Sequence, residues 1–194
     1  MRRAVKRNKP NDFVQDKTTR NYILIGTAVL AVIGLIYALF LNLRGPQPIS
    51  GLTMVPGQGA AHDDTLRYEF GGLPPSGGTH HSVWQNCGIY DEPIRPEHAI
   101  HSLEHGAVWV TYHPDLPESD IRQLQNMFRG QTFILLSPYP DQDAPIALTA
   151  WGIQLTVDSA GDNRIGQFVE RYRLGPQTPE RGATCSGGIG TPIG

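Results

Sequence analysis

From Tyr22 to Leu43 the chain passes through 22 positions without a charge, YILIGTAVLAVIGLIYALFLNL. A run that is apolar all round has no polar face to turn to water, so it predicts a helix bedded in lipid. At 1.5 Å per residue such a helix reaches about 33 Å, enough for a hydrocarbon core of about 30 Å. The rival reading, a cleaved signal peptide, has an apolar core of about 7–15 residues and small residues at the cut. Here the run is longer and LNLRGPQP follows it. An uncleaved single-pass anchor over 21–43 is therefore expected.

Beyond the anchor the pattern changes to short elements. Residues 44–61 are rich in Gly and Pro, have no apolar period, and read as a linker. Leu66–Phe70 predicts a short strand, and the Gly/Pro-rich stretch GGLPPSGG from Gly71 to Gly78 predicts a turning loop that delivers His80 and His81. Pro96 suits a first helical turn and Gly106 a position just past a helix end, so the intervening segment predicts a short helix. Ala107–Tyr112 is nearly all apolar or β-branched, as a strand covered on both faces would be. Pro117 opens a second helix with Ile121, Leu124, Met127 and Phe128 at helical spacing, and Gly130 ends it. Thr132–Leu136 predicts another buried strand. Ile146–Val157 alternates and breaks at Gly152, as a bent strand or hairpin does. Ile165, Phe168, Val169 and Tyr172 predict the last helix, and 175–194 an irregular Gly/Pro-rich tail.

The fold class read from this order is α/β (α+β), one domain over 62–174. The succession β, loop, α, β, α, β, β, α is that of a thioredoxin-like layer fold. Pro145, just before a strand, stands where that fold often carries a cis-proline. The redox motif is missing: Cys87 is followed by Gly88, Ile89 and Tyr90, so no C-x-x-C exists and thioredoxin-type disulfide exchange is not expected.

Charge then orients the molecule. Residues 1–20 hold seven Lys or Arg against two Asp, a balance of +5, whereas 45–194 hold eight Arg, no Lys and sixteen Asp or Glu, a balance of −8. The positive-inside rule places the basic tail in the cytoplasm and the domain outside the cell membrane, with the lipid bilayer as first partner. The whole-chain balance of −2 is far from that of a nucleic-acid-coating protein, so no nucleic acid is expected. Two thiols in an oxidising compartment usually pair, so a Cys87–Cys185 disulfide is expected, with a metal thiolate at Cys87 as the alternative.

All seven histidines lie between His62 and His113. On a helix, His98, His101 and His105 fall within about 60° of arc, opposite Ile100 and Leu103. His101 and His105 stand at i, i+4, the spacing that brings two imidazoles to one ion. Copper or zinc would need one or two more ligands, with His80 first, then His62, and Glu104 as ligand, hydrogen-bond support or base. The competing reading is a hydrogen-bonded polar network packing the loop on the helix. H-S-L-E-H also spells the H-x-x-E-H pattern of inverted zinc peptidases, in which Glu104 would activate water; it is a short pattern in a small domain, and Glu104 is a weak catalytic candidate. With no G-x-S-x-G elbow there is no support for a serine hydrolase, and no catalytic residue is assigned. A different class of function remains beside metal binding: a metal-free accessory or scaffold subunit that docks on a membrane protein complex.

Three segments, LPPSGGTHHSVWQNCGIYDEP, IHSLEHGAVWVTYHPDL and DAPIALTAWG, resemble a bacterial domain family of unknown function found on membrane-anchored extracytoplasmic proteins. The resemblance runs from about Gly57 to the Pro179–Glu180 pair. The family pattern P-P-x-S-G-x-H falls on Pro74, Pro75, Ser76, Gly77 and His80, the pattern H-S-L-E-H-G on His101 to Gly106, and A-P-I-A-L-T-A-W-G on Ala144 to Gly152. His80 comes one residue later than the S-G-x-H spacing, so either His80 or His81 takes the family position. The resemblance implies placement outside a membrane and carries no activity.

Overall fold

The computed structural model describes residues 17–43, 48–56 and 58–193. Most of the basic tail and the first part of the expected linker lie outside these residues. Two compact units are present, the first ending at Pro48 and the second running from Ile49. In the first, helix α1 (Lys17–Leu43) contains an apolar span, Thr19–Leu41, long enough to cross a membrane; a signal sequence has the same property.

The second unit is a mixed α+β domain. Its elements are β1 (Thr53–Met54), β2 (Gly88–Ile89), α2 (Pro96–Glu104), β3 (Val108–Tyr112), α3 (Glu118–Phe128), β4 (Ile134–Pro138), β5 (Ile146–Ala150), β6 (Ile153–Val157) and α4 (Arg164–Tyr172). They build one six-stranded sheet in the order β1-β6-β5-β3-β4-β2. β3 and β4 are parallel, as are β4 and β2, while β5 and β6 form an antiparallel hairpin against β3.

Because side chains alternate across a strand, the sheet has two different faces. Val108, Val110, Ile134, Leu136, Ile146, Leu148, Ile153 and Leu155 point to one side and pack with Leu124 and Phe128 of α3 and Ile165, Phe168 and Val169 of α4. On the other side Trp109 and Leu135 meet Ala99, Ile100 and Leu103 of α2, together with Tyr90, Tyr139 and Trp151. That second face also carries polar groups bonded to neighbours: the Trp109 indole N–H donates to Ser137 Oγ at 3.0 Å, and Gln154 Nε2 donates to the Pro74 carbonyl at 2.6 Å.

Several sequence expectations need correction. Leu66–Phe70 is not a strand. The stretch expected to be a linker contributes edge strand β1, paired antiparallel with β6. β4 starts two residues later than expected, because Phe133 turns with φ +55 before the strand begins. The peptide bond before Pro145 is trans, not the cis bond that a thioredoxin-like fold often carries there.

Helix α2 is the element that positions the site. Pro96 opens it, and Gly106, at φ +111, turns the chain straight into β3. A Cβ at Gly106 would meet Leu174 Cδ2 at 2.8 Å, so the turn requires glycine for both conformation and space. All but one of the helix residues are buried: the apolar face goes to the sheet and the histidine face lies beneath the 58–85 loop and the C-terminal segment.

Candidate metal centre

Two loops close over the histidine face of α2. The first runs through the Gly77–Gly78 turn, where Gly77 (φ +151) leaves no room for a Cβ beside Gln58 and Trp151. The turn aims His80 inward, and its backbone meets that of His62 in an isolated bridge, with Asp63 N–H to His80 O at 2.8 Å and His80 N–H to Ala61 O at 2.9 Å. The second is the C-terminal segment. Its backbone is tied by Glu180 N–H to Glu104 O at 3.0 Å, Gly182 N–H to His105 O at 2.9 Å and Cys87 N–H to Cys185 O at 2.8 Å. Cys87 and Cys185 form the expected disulfide, with Cα atoms 5.4 Å apart.

These contacts gather His62, His80, His101 and Glu104 so that one ligating atom from each lies within 4.8 Å of all the others. His80 Nε2 is 2.9 Å from Glu104 Oε2, and His62 Nε2 is 3.7 Å from the same oxygen. The rings of His62 and His101 stack at 4.9 Å, and His80 stands edge-on to both at 4.8 and 5.0 Å. His105 adjoins His101 at 4.6 Å between centroids, but turns its Nε2 toward Glu180 Oε2, 3.6 Å away. His101, His105 and Glu180 thus make a second group with the same 4.8 Å spread.

The tautomers follow from the hydrogen bonds. His80 Nδ1 lies 2.7 Å from Gly78 O, His101 Nδ1 2.8 Å from His81 O, and His105 Nδ1 2.6 Å from Thr184 O. A carbonyl oxygen has no proton to give, so in each case Nδ1–H is the donor. Each ring is therefore locked in orientation, with Nε2 directed into the cluster. This is how proteins hold histidines that bind metals.

Electrostatics favours the neutral ring at His101. Burial, the largest influence, pushes its pKa down to about 4, with the neighbouring His105, His80 and His62 adding in the same direction against the His81 carbonyl. The folded value is below the unfolded one of 6.5, so the unfolded chain takes up the proton first. Stability attached to this ring is complete above pH 6.5 and is lost as the pH falls toward 4, by at most about 1.4 kcal/mol per pH unit. In chelator-treated protein, urea midpoints are expected to fall between pH 6.5 and 4.5 in the wild type and less steeply in His101→Gln. Parallel pH profiles for the two would remove His101 from this account.

The remaining histidines are not part of the cluster. The His81 ring lies against that of His98, tilted by 37° with centroids 4.2 Å apart, and is 3.4 Å from Asp64. His98 donates through Nδ1 to Val83 O, and His113 sits beside Asp115. The H-x-x-E-H layout asks His101 and His105 to share an ion with Glu104 outside the ligand set; here Glu104 stands among His62, His80 and His101. Two participants had no signal in the helical spacing. Trp84 lies against His101 and His105, at 5.7 and 5.2 Å, and Glu180 comes from the tail. The position of Cys185, five residues beyond Glu180 and bonded to Cys87, is the one sequence feature that could have brought Glu180 to this helix.

No curated protein and no solved structure matches the chain. Residues 61–187 match a family model described as "Protein of unknown function (DUF3105)". The matched segment contains both histidine–glutamate groups, both cysteines and the whole sheet apart from β1, and the chain belongs to this family of unknown function.

Proposed function

We propose that this is a membrane-anchored protein whose outer domain binds one transition-metal ion, copper or zinc, through His62, His80, His101 and Glu104. The observation that carries the reading is the set of Nδ1–H bonds to backbone carbonyls, which commits His80 and His101 to presenting Nε2 to one point beside a carboxylate. Three imidazoles and one carboxylate suit zinc or Cu(II). With metal bonds of about 2.0–2.1 Å, the edges of a tetrahedron are about 3.3 Å. The separations of 2.9 and 3.7 Å to Glu104 bracket that value, and the set as a whole, within 4.8 Å, would close on an ion by side-chain adjustment.

The apolar helix α1 supports anchoring, and the basic residues before it support an N-terminus in the cytoplasm and the domain outside, where the disulfide persists. The four long strands in order β6-β5-β3-β4, with β3 and β4 parallel and the hairpin antiparallel, support a thioredoxin-like core to which α2 and its loops add the site.

Elemental analysis of the full chain, purified in detergent and equilibrated separately with zinc and copper, is the test. About one ion per chain is expected in the wild type, and loss of at least about ten-fold in affinity in His101→Ala. A wild type that retains neither metal would overturn the reading, and the metal-free scaffold would take its place.

A further inference from the structure

The second group, His101, His105 and Glu180, is not explained by a single four-ligand site. We propose that it is an alternative seat for the same ion, the one through which the ion enters and leaves; this rests on the metal-binding reading above. His105 Nδ1–H is committed to Thr184 O, so its Nε2 is the ligating atom, and it faces Glu180 at 3.6 Å, close to the edge length of about 3.3 Å that a tetrahedral ion imposes.

His101 belongs to both groups. Its Nδ1 donates to His81 O, which leaves one lone pair, on Nε2, and one lone pair binds one ion. The two seats therefore exclude each other, and His101 is the pivot between them. They also differ in completeness. The inner seat offers four protein ligands, as closed sites do, whereas the outer seat offers three and leaves a position for an incoming or departing ligand. Each seat has one exposed ligand, Glu180 at 55% in the outer and His62 at 43% in the inner, and its other ligands are buried, so what marks the outer seat as the place of exchange is its open coordination position. The segment bearing Glu180 and Thr184 is held in place by the backbone bonds to His105 and Cys87 and by the disulfide. An ion received at Glu180 and His105 passes inward by exchanging those two ligands for His62, His80 and Glu104 while His101 keeps its bond.

The test titrates the full chain, stripped of metal in detergent, with Zn²⁺ against a chromophoric chelator. One equivalent is expected in the wild type. The H62A/E104Q variant is expected still to bind one equivalent, about 10–100-fold more weakly, and adding E180Q to it is expected to abolish binding. In E180Q alone, stopped-flow transfer of Zn²⁺ to the chelator is expected to slow about ten-fold or more. Circular dichroism confirms that each variant is folded. Two equivalents in the wild type, with the second lost in E180Q, would show independent sites and overturn the exclusion. Absence of binding in folded H62A/E104Q, or unaltered transfer in E180Q, would overturn the outer seat while leaving the inner site standing. A wild type that binds no Zn²⁺ and no Cu²⁺ would sink the metal reading itself.

Discussion

His80→Ala is expected to cost about 3–5 kcal/mol of stability in the metal-free protein, whereas Glu104→Gln, at the other end of the same contact, is expected to cost less than about 1 kcal/mol. His80 has no exposed surface and the Glu104 side chain is 4% exposed. Their 2.9 Å contact joins a ring nitrogen to a carboxylate oxygen, and His80 Nδ1–H is already spent on Gly78 O. A proton must therefore lie between Nε2 and the carboxylate when no ion does. Truncating His80 removes the partner and leaves the buried Glu104 carboxyl group without its hydrogen bond, a large penalty because that group has lost water and found nothing in its place. His62, 3.7 Å from the same oxygen, is too far to replace that bond. Glutamine brings its own N–H to His80 Nε2 and leaves a neutral, satisfied pair. The double variant is expected to recover part of the His80→Ala loss, because glutamine leaves no acid in the interior. Urea unfolding in chelator measures all three, and metal content measured alongside is expected to fall in each. Equal midpoints for His80→Ala and wild type would mean that the contact carries no stability and that the site is not held ready in the absence of metal.

The sequence made α2 legible because its signals are local. Pro96, the apolar trio Ala99, Ile100 and Leu103, and Gly106 lie within one short stretch, and each acts on its immediate neighbours. The same is true of α3, α4 and the β5–β6 hairpin. The strand expected over Leu66–Phe70 failed because five β-compatible residues form a strand only beside an edge with free N–H and C=O groups. The edge of β4 is taken by Gly88–Ile89, a pair too short to show any alternation. The histidines' shared face was also legible, but its destination was not. Helical periodicity says which side is polar and does not say whether that side meets water or another segment. Here it meets the 58–85 loop and the C-terminal segment, and the three carbonyls that orient the rings belong to Gly78, His81 and Thr184. A backbone carbonyl has no residue signature, so this part of the site is invisible before folding.

Replacing both cysteines, as Cys87→Ser/Cys185→Ser, is expected to lower stability by about 4–5 kcal/mol in the chain-entropy model. The bond joins positions 98 apart, so the loop that it closes contains α2, β3, α3, β4, the β5–β6 hairpin and α4. Nearly the whole core is thus inside the ring, and opening it returns that length of chain to its full freedom when unfolded. The folded domain feels the change at one place. Residues 180–193 have no strand or helix of their own. They are held by a few hydrogen bonds: a bridge at Gln85 and Ile189, with Asn86 N–H to Ile189 O at 2.8 Å and Ile189 N–H to Trp84 O at 3.0 Å, the Asn86 side chain on Gly188 and Gly190, and Ile193 N–H to Ile89 O at 2.8 Å. Without the covalent tie these bonds open separately from the sheet, whose core lies elsewhere. The variant is therefore expected to unfold at lower denaturant and also, under native conditions, to be cut faster by trypsin at the exposed Arg181. Both effects are measurable on the same preparation. A stability within about 1 kcal/mol of wild type, a quarter of the expected loss or less, together with unaltered cleavage at Arg181, would mean that the segment holds itself, and Glu180 and the Thr184 carbonyl would then keep their places beside His105 without the disulfide.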